Sequence, residues 1–383
     1  MADRRKLIPA LLLAVALCPL AACVKPESNK PPLSANPSIG GNADGILPGG
    51  KGAVIGIKDA LNPLTGEYDL ARERAGKPVF VVNVDNIQFA RPQSGISKAD
   101  VIFETLTEGG ITRLSCLYSD LREVEKIGDL RSIRDQNLEA AAYLDPLFIH
   151  WGTAVCSEYL LKQYPRLMSL DCAYVPMLRD ILMVQDKSRY EKGYAQEYTW
   201  FIDGTRIDEA LWAVGAGEIV SRSNITAFDF RKPEEPASVP AGGEAKRVTF
   251  LFSENPFMAD YEYDGDFRYD DAGGEYLKWQ FGVPQTDEYY SAQLAFKNVL
   301  VLFADIGQKG EPYVLLTNLR FQSGGTGYYF SGGRYERITW GKGDLFEPYW
   351  FKDETGAPLI LNPGKTYVGF SPYAFEKRLS IES

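Results

Sequence analysis

The 383-residue chain reads as an α+β protein, with a mixed α/β domain over residues 58–230 and a β-rich domain over residues 246–375. Three observations predict this. The first half alternates apolar runs of strand length with segments of helical spacing. The second half carries only short aromatic or β-branched runs divided by turn signals, with no periodic helix. Between them, Phe230 to Ala245 is interrupted by proline and by Gly242-Gly243, as a boundary would be. Cleavage there is expected to leave two stable fragments.

The first half opens on a turn-rich Asn62-Pro63-Leu64-Thr65-Gly66. Val79 to Asn86 follows, a nearly continuous β-branched run that ends abruptly in Asp85 and Asn86 and so reads as a strand buried on both faces. Val101–Glu104 and Ile111–Tyr118 read as further strands, Asp135 to Tyr143 as a helix by its Leu138, Ala141, Ala142 spacing, and Leu147–Trp151 as a returning strand. Ser157 is placed to cap a short helix through Tyr164, and Thr205-Arg206-Ile207-Asp208 to open one that stops at Gly215. In the second half the strand-like runs are Val248–Phe252, Tyr261–Tyr263, Phe267–Tyr269, Val299–Phe303, Tyr313–Leu316, Tyr328–Phe330, Ile338–Trp340, Tyr349–Phe351 and Tyr367–Phe370.

Ahead of these lies a different kind of sequence. Arg4, Arg5 and Lys6 precede an apolar run from Leu7 to Leu17, and Leu20-Ala21-Ala22-Cys23 follows. A basic head, a short apolar body and small residues before a cysteine make residues 1–22 a signal peptide ending in a lipobox. Cys23 is then the acylated first residue of the mature protein, carrying a diacylglyceryl group and fatty acid of the palmitate type. Since each buried methylene contributes about 0.8 kcal/mol, two or more chains hold a protein on a bilayer where one does not. Residues 23–57, rich in Pro, Ser, Asn and Gly, form a tether spanning on the order of 30–35 Å. The expected location is extracytoplasmic, lipid-anchored to the cell membrane, or to an outer membrane where there is one.

Loss of residues 1–22 leaves 38 basic and 50 acidic side chains, a net charge of −12. An acidic chain lacks the basic face that nucleic acid requires, so nucleic acid is excluded as a partner. Cys116, Cys156 and Cys172 remain in the folded part; either Cys156 and Cys172 pair or all three are small buried hydrophobes. With one histidine and no Cys-x-x-Cys there is no zinc motif, and neither a Gly-x-Ser-x-Gly elbow nor a Ser-x-x-Lys is present. No cofactor and no metal site is expected.

What remains is a set of polar residues at strand ends: Asp85, Asn86, Arg91, Glu104, Glu108, Arg113, Arg131, Arg134 and His150. Strand ends that turn polar together are where α/β proteins place ligands. The same residues also suit purely structural duties, with Asp135 as a helix cap and Arg113 paired to Glu104 across a hairpin. Trp340, Tyr349, Trp350 and Tyr373 suit sugar stacking or, more simply, a core.

Several strings are specific enough to carry a resemblance. Ala90-Arg91-Pro92-Gln93-Ser94-Gly95, Glu108-Gly109-Gly110-Ile111-Thr112-Arg113, Arg131-Ser132-Ile133-Arg134, His150-Trp151-Gly152 and Leu361-Asn362-Pro363-Gly364-Lys365-Thr366 closely resemble the YerB-like bacterial lipoproteins, and the likeness spans nearly all of residues 60–370. The resemblance implies two domains of uncharacterised function and a lipid anchor. Two positions depart from it: Pro284-Gln285 stands where the family often has Pro-His, and Ala195-Gln196-Glu197 where it often has Pro-His-Asn. If those histidines are catalytic elsewhere, this chain lacks them.

Two functions are compatible with this reading. In the first, the protein binds an anionic ligand or cell-envelope polymer, with Asp85, Asn86 and Glu104 accepting hydrogen bonds and Arg91, Arg113, Arg131 and Arg134 gripping carboxylate or phosphate. In the second, it hydrolyses envelope glycan or phosphodiester, with Asp85 and Glu104 as an acid/base pair and His150 assisting. The two diverge on whether these side chains line one opening.

Overall fold

The computed structural model describes residues 56–217, 219–254, 264–310 and 316–383. The signal peptide, Cys23, nearly all of the tether and the expected strands at Tyr261–Tyr263 and Tyr313–Leu316, the last residue apart, lie outside the described residues. Among the described residues, no helix is long and apolar enough to cross a membrane.

The principal strands are β1 (Phe80–Asp85), β2 (Val101–Leu106), β3 (Thr112–Tyr118), β4 (Leu147–His150), β5 (Met168–Asp171), β6 (Arg247–Phe250), β7 (Gly265–Asp270), β8 (Glu275–Gln280), β9 (Asn298–Gln308), β10 (Thr317–Arg320), β11 (Gly325–Ser331), β12 (Arg334–Lys342), β13 (Tyr349–Lys352), β14 (Thr366–Pro372) and β15 (Ser380–Glu382). The helices are α1 (Asp135–Ala141), α2 (Val155–Gln163), α3 (Pro176–Leu182), α4 (Lys187–Glu191) and α5 (Ile207–Ala213). The mixed first half and strand-rich second half are those predicted.

The strands assemble differently from two separate domains. One large sheet runs β13-β12-β11-β9-β14-β2-β3-β1-β4-β5, with β10 added to β9. Its seam is the parallel pairing of β14 with β2, Thr366 opposite Val101 through Gly369 opposite Glu104. A second sheet, with order β8-β7-β6-β15 at its centre, lies on one face of the first. Phe250, Phe267, Tyr276 and Phe296 of that layer share a core with Val82, Val84, Ile102 and Leu114 of the large sheet. On the other face, Leu138 and Ala141 of α1 pack with Val81, Phe103 and Phe148, together with Leu300, Trp340 and Phe370. The expectation of two separable halves is therefore corrected. Residues 231–245 mark a change of composition, and ladder hydrogen bonds and a shared core nevertheless join the segments on either side.

Local details also depart from expectation. Ser157 lies inside α2, where its hydroxyl donates to Ile133 O at 3.1 Å. The turn before α5 is capped by Asp203, which accepts from Thr205 N at 3.0 Å. Asp135 is the first residue of α1, and the Asn137 amide oxygen accepts from Arg134 N at 3.0 Å. The three cysteines are free thiols, with Cys116 and Cys172 buried. Of the four aromatics, Trp340 is core, whereas Trp350 and Tyr373 are exposed.

One partly buried acid gives a pH test of this packing. Burial, with the Asp135 charge adding to it, pushes the Glu139 carboxyl of α1 from 4.5 up to about 7. A raised carboxyl binds its proton more tightly when folded, so its contribution is full below about 4.5 and is lost as pH rises through 7. Glu139→Gln should therefore gain stability relative to the parent across that window and run parallel to it above, as measured by urea unfolding at several pH values.

Candidate functional site

Side-chain alternation along a strand sends neighbouring residues to opposite faces, and this divides the polar strand ends into two groups. Glu104 follows Ile102 and precedes Leu106 on the face covered by the second sheet, and Thr112 shares that face with Leu114. Asp85 and Arg113 point the other way, with Val81 and Phe103. Their backbones are adjacent, Asp85 opposite Arg113 and Glu104 opposite Leu114, yet their side chains are separated by the sheet.

The Glu104 group is a closed network. Glu104 Oε1 accepts from Asn86 Nδ2 at 2.8 Å and Thr112 Oγ1 at 2.7 Å, while Oε2 accepts from Tyr367 Oη at 2.7 Å and pairs with Lys278 Nζ at 3.2 Å. Lys278 also donates to Gln280 Oε1 at 3.0 Å and Gln285 Oε1 at 2.7 Å. Asn86 Oδ1 in turn accepts from Arg91 Nη2 at 2.6 Å and from Gln93 and Gln285, each at 3.0 Å. Glu104, Lys278 and Gln280 have no exposed surface. Burial pushes Lys278 down to about 8, opposed by Glu104, and pushes Arg91 down to about 10. This group brings Asn86, Arg91 and Glu104 together between the two sheets, with Asn86 and Glu104 sealed from solvent and Arg91 partly exposed. Lys278, Gln280, Gln285 and Tyr367 were not anticipated.

The Asp85 group sits where the chain changes direction. From β1 the chain passes to β2 through Ile96 and Ala99 on the second-sheet face, whereas β4 continues into α2, whose Leu160 and Leu161 pack on the other face. Since β1 and β4 are parallel neighbours, their carboxyl ends form a topological switch point, the usual place for a ligand in an open sheet. Residues 128–134 cross it. Arg131 N donates to Asn83 O at 2.9 Å, and Trp151 N to Arg131 O at 3.1 Å. The crossing segment supplies Arg131 and Arg134, and β3 supplies Arg113.

The side chains there are partly committed. Arg131 Nε pairs with Asp85 Oδ2 at 2.9 Å, its guanidinium lies 5.6 Å from the Tyr198 ring, and its Nη atoms make no hydrogen bond among the described residues. Arg134 grips Glu108, Nε lying 2.9 Å from both carboxylate oxygens. Burial works to raise the Glu108 carboxyl, and Arg134 outweighs it, holding it below the usual range. Arg113 donates through Nη1 to Ser132 O, while its buried Nε has no partner. Burial, then the Arg134 and Arg131 charges, push Arg113 down to about 9. Asp129, another unanticipated neighbour, is fully buried with both carboxyl oxygens unpartnered, and burial followed by the Asp85 charge pushes it well above the ordinary carboxylate range. Three guanidinium groups thus face two paired carboxylates and one carboxyl held toward its neutral form.

His150 belongs to neither group. It is fully enclosed, Nδ1 lying 2.8 Å from Gly152 O and Nε2 2.6 Å from Ser169 Oγ. The carbonyl requires a donating Nδ1–H, which leaves Nε2 to accept from the hydroxyl. Burial lowers its proton affinity despite Asp171 at 3.8 Å. The Arg113–Glu104 pair and the Asp85–Glu104 acid/base pair are likewise not formed, because those side chains lie on opposite faces of the sheet. Among the described residues, no group of three His, Cys, Asp or Glu is placed to hold a metal ion.

A two-segment chain sharing one sheet, with a basic switch point, is the class of protein these observations define. Residues 64–212 match the N-terminal domain and residues 256–368 the C-terminal domain of a protein family of unknown function, DUF3048, and the chain belongs to that family. It is 25% identical over 327 residues to YerB of Bacillus subtilis (strain 168), a protein named as a candidate lipoprotein, covering 81% of this chain and 86% of the relative. The crystal structure of Bacillus subtilis YerB superposes with a TM-score of 0.68 at 21% identity, covering 85% of this chain and all of that one, so the fold is shared.

Proposed function

We propose that this chain is an extracytoplasmic, lipid-anchored protein that binds an anionic component of the cell envelope at the switch point, with Arg113, Arg131 and Arg134 as the holding groups. The observation that carries this reading is the uneven charge there: three guanidinium groups against two paired carboxylates, with the buried Nε of Arg113 unpartnered and the Nη atoms of Arg131 without a protein acceptor among the described residues. A carboxylate or phosphate supplies that acceptor, and the planar guanidinium fork suits it by two parallel hydrogen bonds. The anchor is supported by the lipobox ending at Cys23 and by the name of the Bacillus relative. Hydrolysis has less support, since Asp85 and Glu104 do not share a site and His150 is enclosed.

The variants that test this follow from the pairing. Asp85 is buried, so removing Arg131 outright would strand a carboxylate. Arg131→Lys keeps the charge beside Asp85 and loses the fork. That variant and Arg134→Lys, which likewise keeps the charge beside Glu108, should each weaken binding to a phosphate-bearing wall polymer by about 1.5–3 kcal/mol, the range for hydrogen bonds to charged groups, with unfolding free energy changed by less than about 1 kcal/mol. Titration at two salt concentrations checks it, because an exposed ionic grip weakens with salt. Loss of stability with unchanged binding would make the cluster a structural brace. Separately, Cys23→Ser should release the processed protein from the membrane fraction.

A further inference from the structure

At the opposite ends of β1 and β4 lies a cavity of about 230 Å³, its polar wall formed by Glu73, Arg74, Lys77, Arg122 and Asp208, with Ala216 also lining it. Its head is Arg74, only 8% exposed. The guanidinium lies 4.8 Å from the Phe80 ring, Nε donates to Ser119 O at 3.2 Å and Nη2 to Pro78 O, and Nη1 makes no hydrogen bond among the described residues. No ion pair involves Arg74 or Lys77 among the described residues. Arg122, by contrast, is held by Asp120 at 2.6 Å and Glu73 at 3.1 Å.

We propose that this cavity binds a small organic monocarboxylate, with its carboxylate on Arg74 and Lys77 and its hydrocarbon body against Pro78, Leu147, Leu211 and Ile219. Three features argue for that class. The largely buried Arg74 guanidinium has no carboxylate in direct contact, Asp120, Asp208 and Glu73 acting on it only at longer range, and an incoming carboxylate supplies a direct charge partner and an acceptor for Nη1. Glu73 shares the single Arg122 charge with Asp120 and accepts from Gly56 N at 3.0 Å, and Asp208 makes no ion pair among the described residues, so the wall keeps negative charge that disfavours a doubly charged anion such as phosphate. The volume equals about eight waters at ~30 Å³ each, room for a body of roughly four to six carbons.

The test is calorimetric titration of the mature chain carrying Cys23→Ser with butyrate, isovalerate, inorganic phosphate and butylamine. The carboxylates should saturate at one site, phosphate should bind more weakly and the amine not at all. Arg74→Gln should weaken carboxylate binding roughly 10- to 150-fold. Lys77→Ala, a half-buried residue with no ion pair to lose, should weaken it roughly two- to fivefold, and Ala216→Leu should block it by filling the space without touching charge. Should Arg74→Gln fail to fold, the Lys77 and Ala216 variants decide. No saturable binding of either carboxylate, retention of affinity in the Lys77 and Ala216 variants, or equal binding of phosphate or amine overturns the proposal.

Discussion

Replacing Lys278 with methionine is expected to lower the unfolding free energy by about 3–5 kcal/mol, because it strips Glu104 of its direct ion-pair partner in a site with no exposed surface, leaving only the more distant Arg91 charge against it. The loss should come mainly from the stranded carboxylate. The double variant Glu104→Gln/Lys278→Met should therefore recover much of it: the glutamine carbonyl still accepts from Asn86 and Thr112, and its amide can donate to the Tyr367 oxygen. Recovery should be partial, since Gln285 Oε1 loses its Lys278 donor. Guanidinium unfolding of the parent, both single variants and the double gives the coupling energy directly. A Lys278→Met cost below about 1 kcal/mol would mean that water reaches the pair.

Dividing the chain should have a still larger effect. A fragment of residues 56–245 loses β14 from the edge of β2 and the entire second sheet from over Val82, Val84, Ile102 and Leu114. It would expose a long unpaired edge beside a bare apolar face, the combination that favours aggregation over folding. Residues 246–383 alone should fare no better, because Glu104 and Asn86 complete the network around their Lys278. Neither fragment should show a cooperative thermal transition, and a proteolytic cut within residues 231–245 of the intact protein should leave the two pieces associated. A cooperative transition in residues 56–245 alone would contradict the shared-core account.

Much of this architecture can be read from the residues. The buried strand at Val79–Asn86 is recognisable because β-branched side chains occupy both faces, and it appears as Phe80–Asp85. Strand β8 was hidden by chemistry. Its buried face is Tyr276, Lys278 and Gln280, a pattern that normally faces water and here faces a carboxylate across the sheet interface. Without β8 the partner of Glu104 has no address, so Arg113, nearest along the hairpin, looks like its match. Register explains the rest. Asp85 and Asn86, adjacent in sequence, serve opposite faces, and no composition or spacing reveals that His150 closes onto Gly152 and Ser169. Separation of the halves was suggested by proline and glycine in residues 231–245, a local signal that carries no information about the long-range pairing of Thr366–Gly369 with Val101–Glu104.

The claim that the switch point binds an anion is tested most directly by the arginine side-chain Nε–H resonances of the nitrogen-15-labelled mature chain during titration with a phosphate-bearing wall polymer. Arg113 Nε has no acceptor in the free protein, and Arg131 Nε is shared with Asp85. Both signals should shift saturably with Arg134, while Arg189, buried among backbone carbonyls and Glu288, stays fixed. Saturable binding of the polymer with the Arg113, Arg131 and Arg134 resonances unmoved would contradict the account.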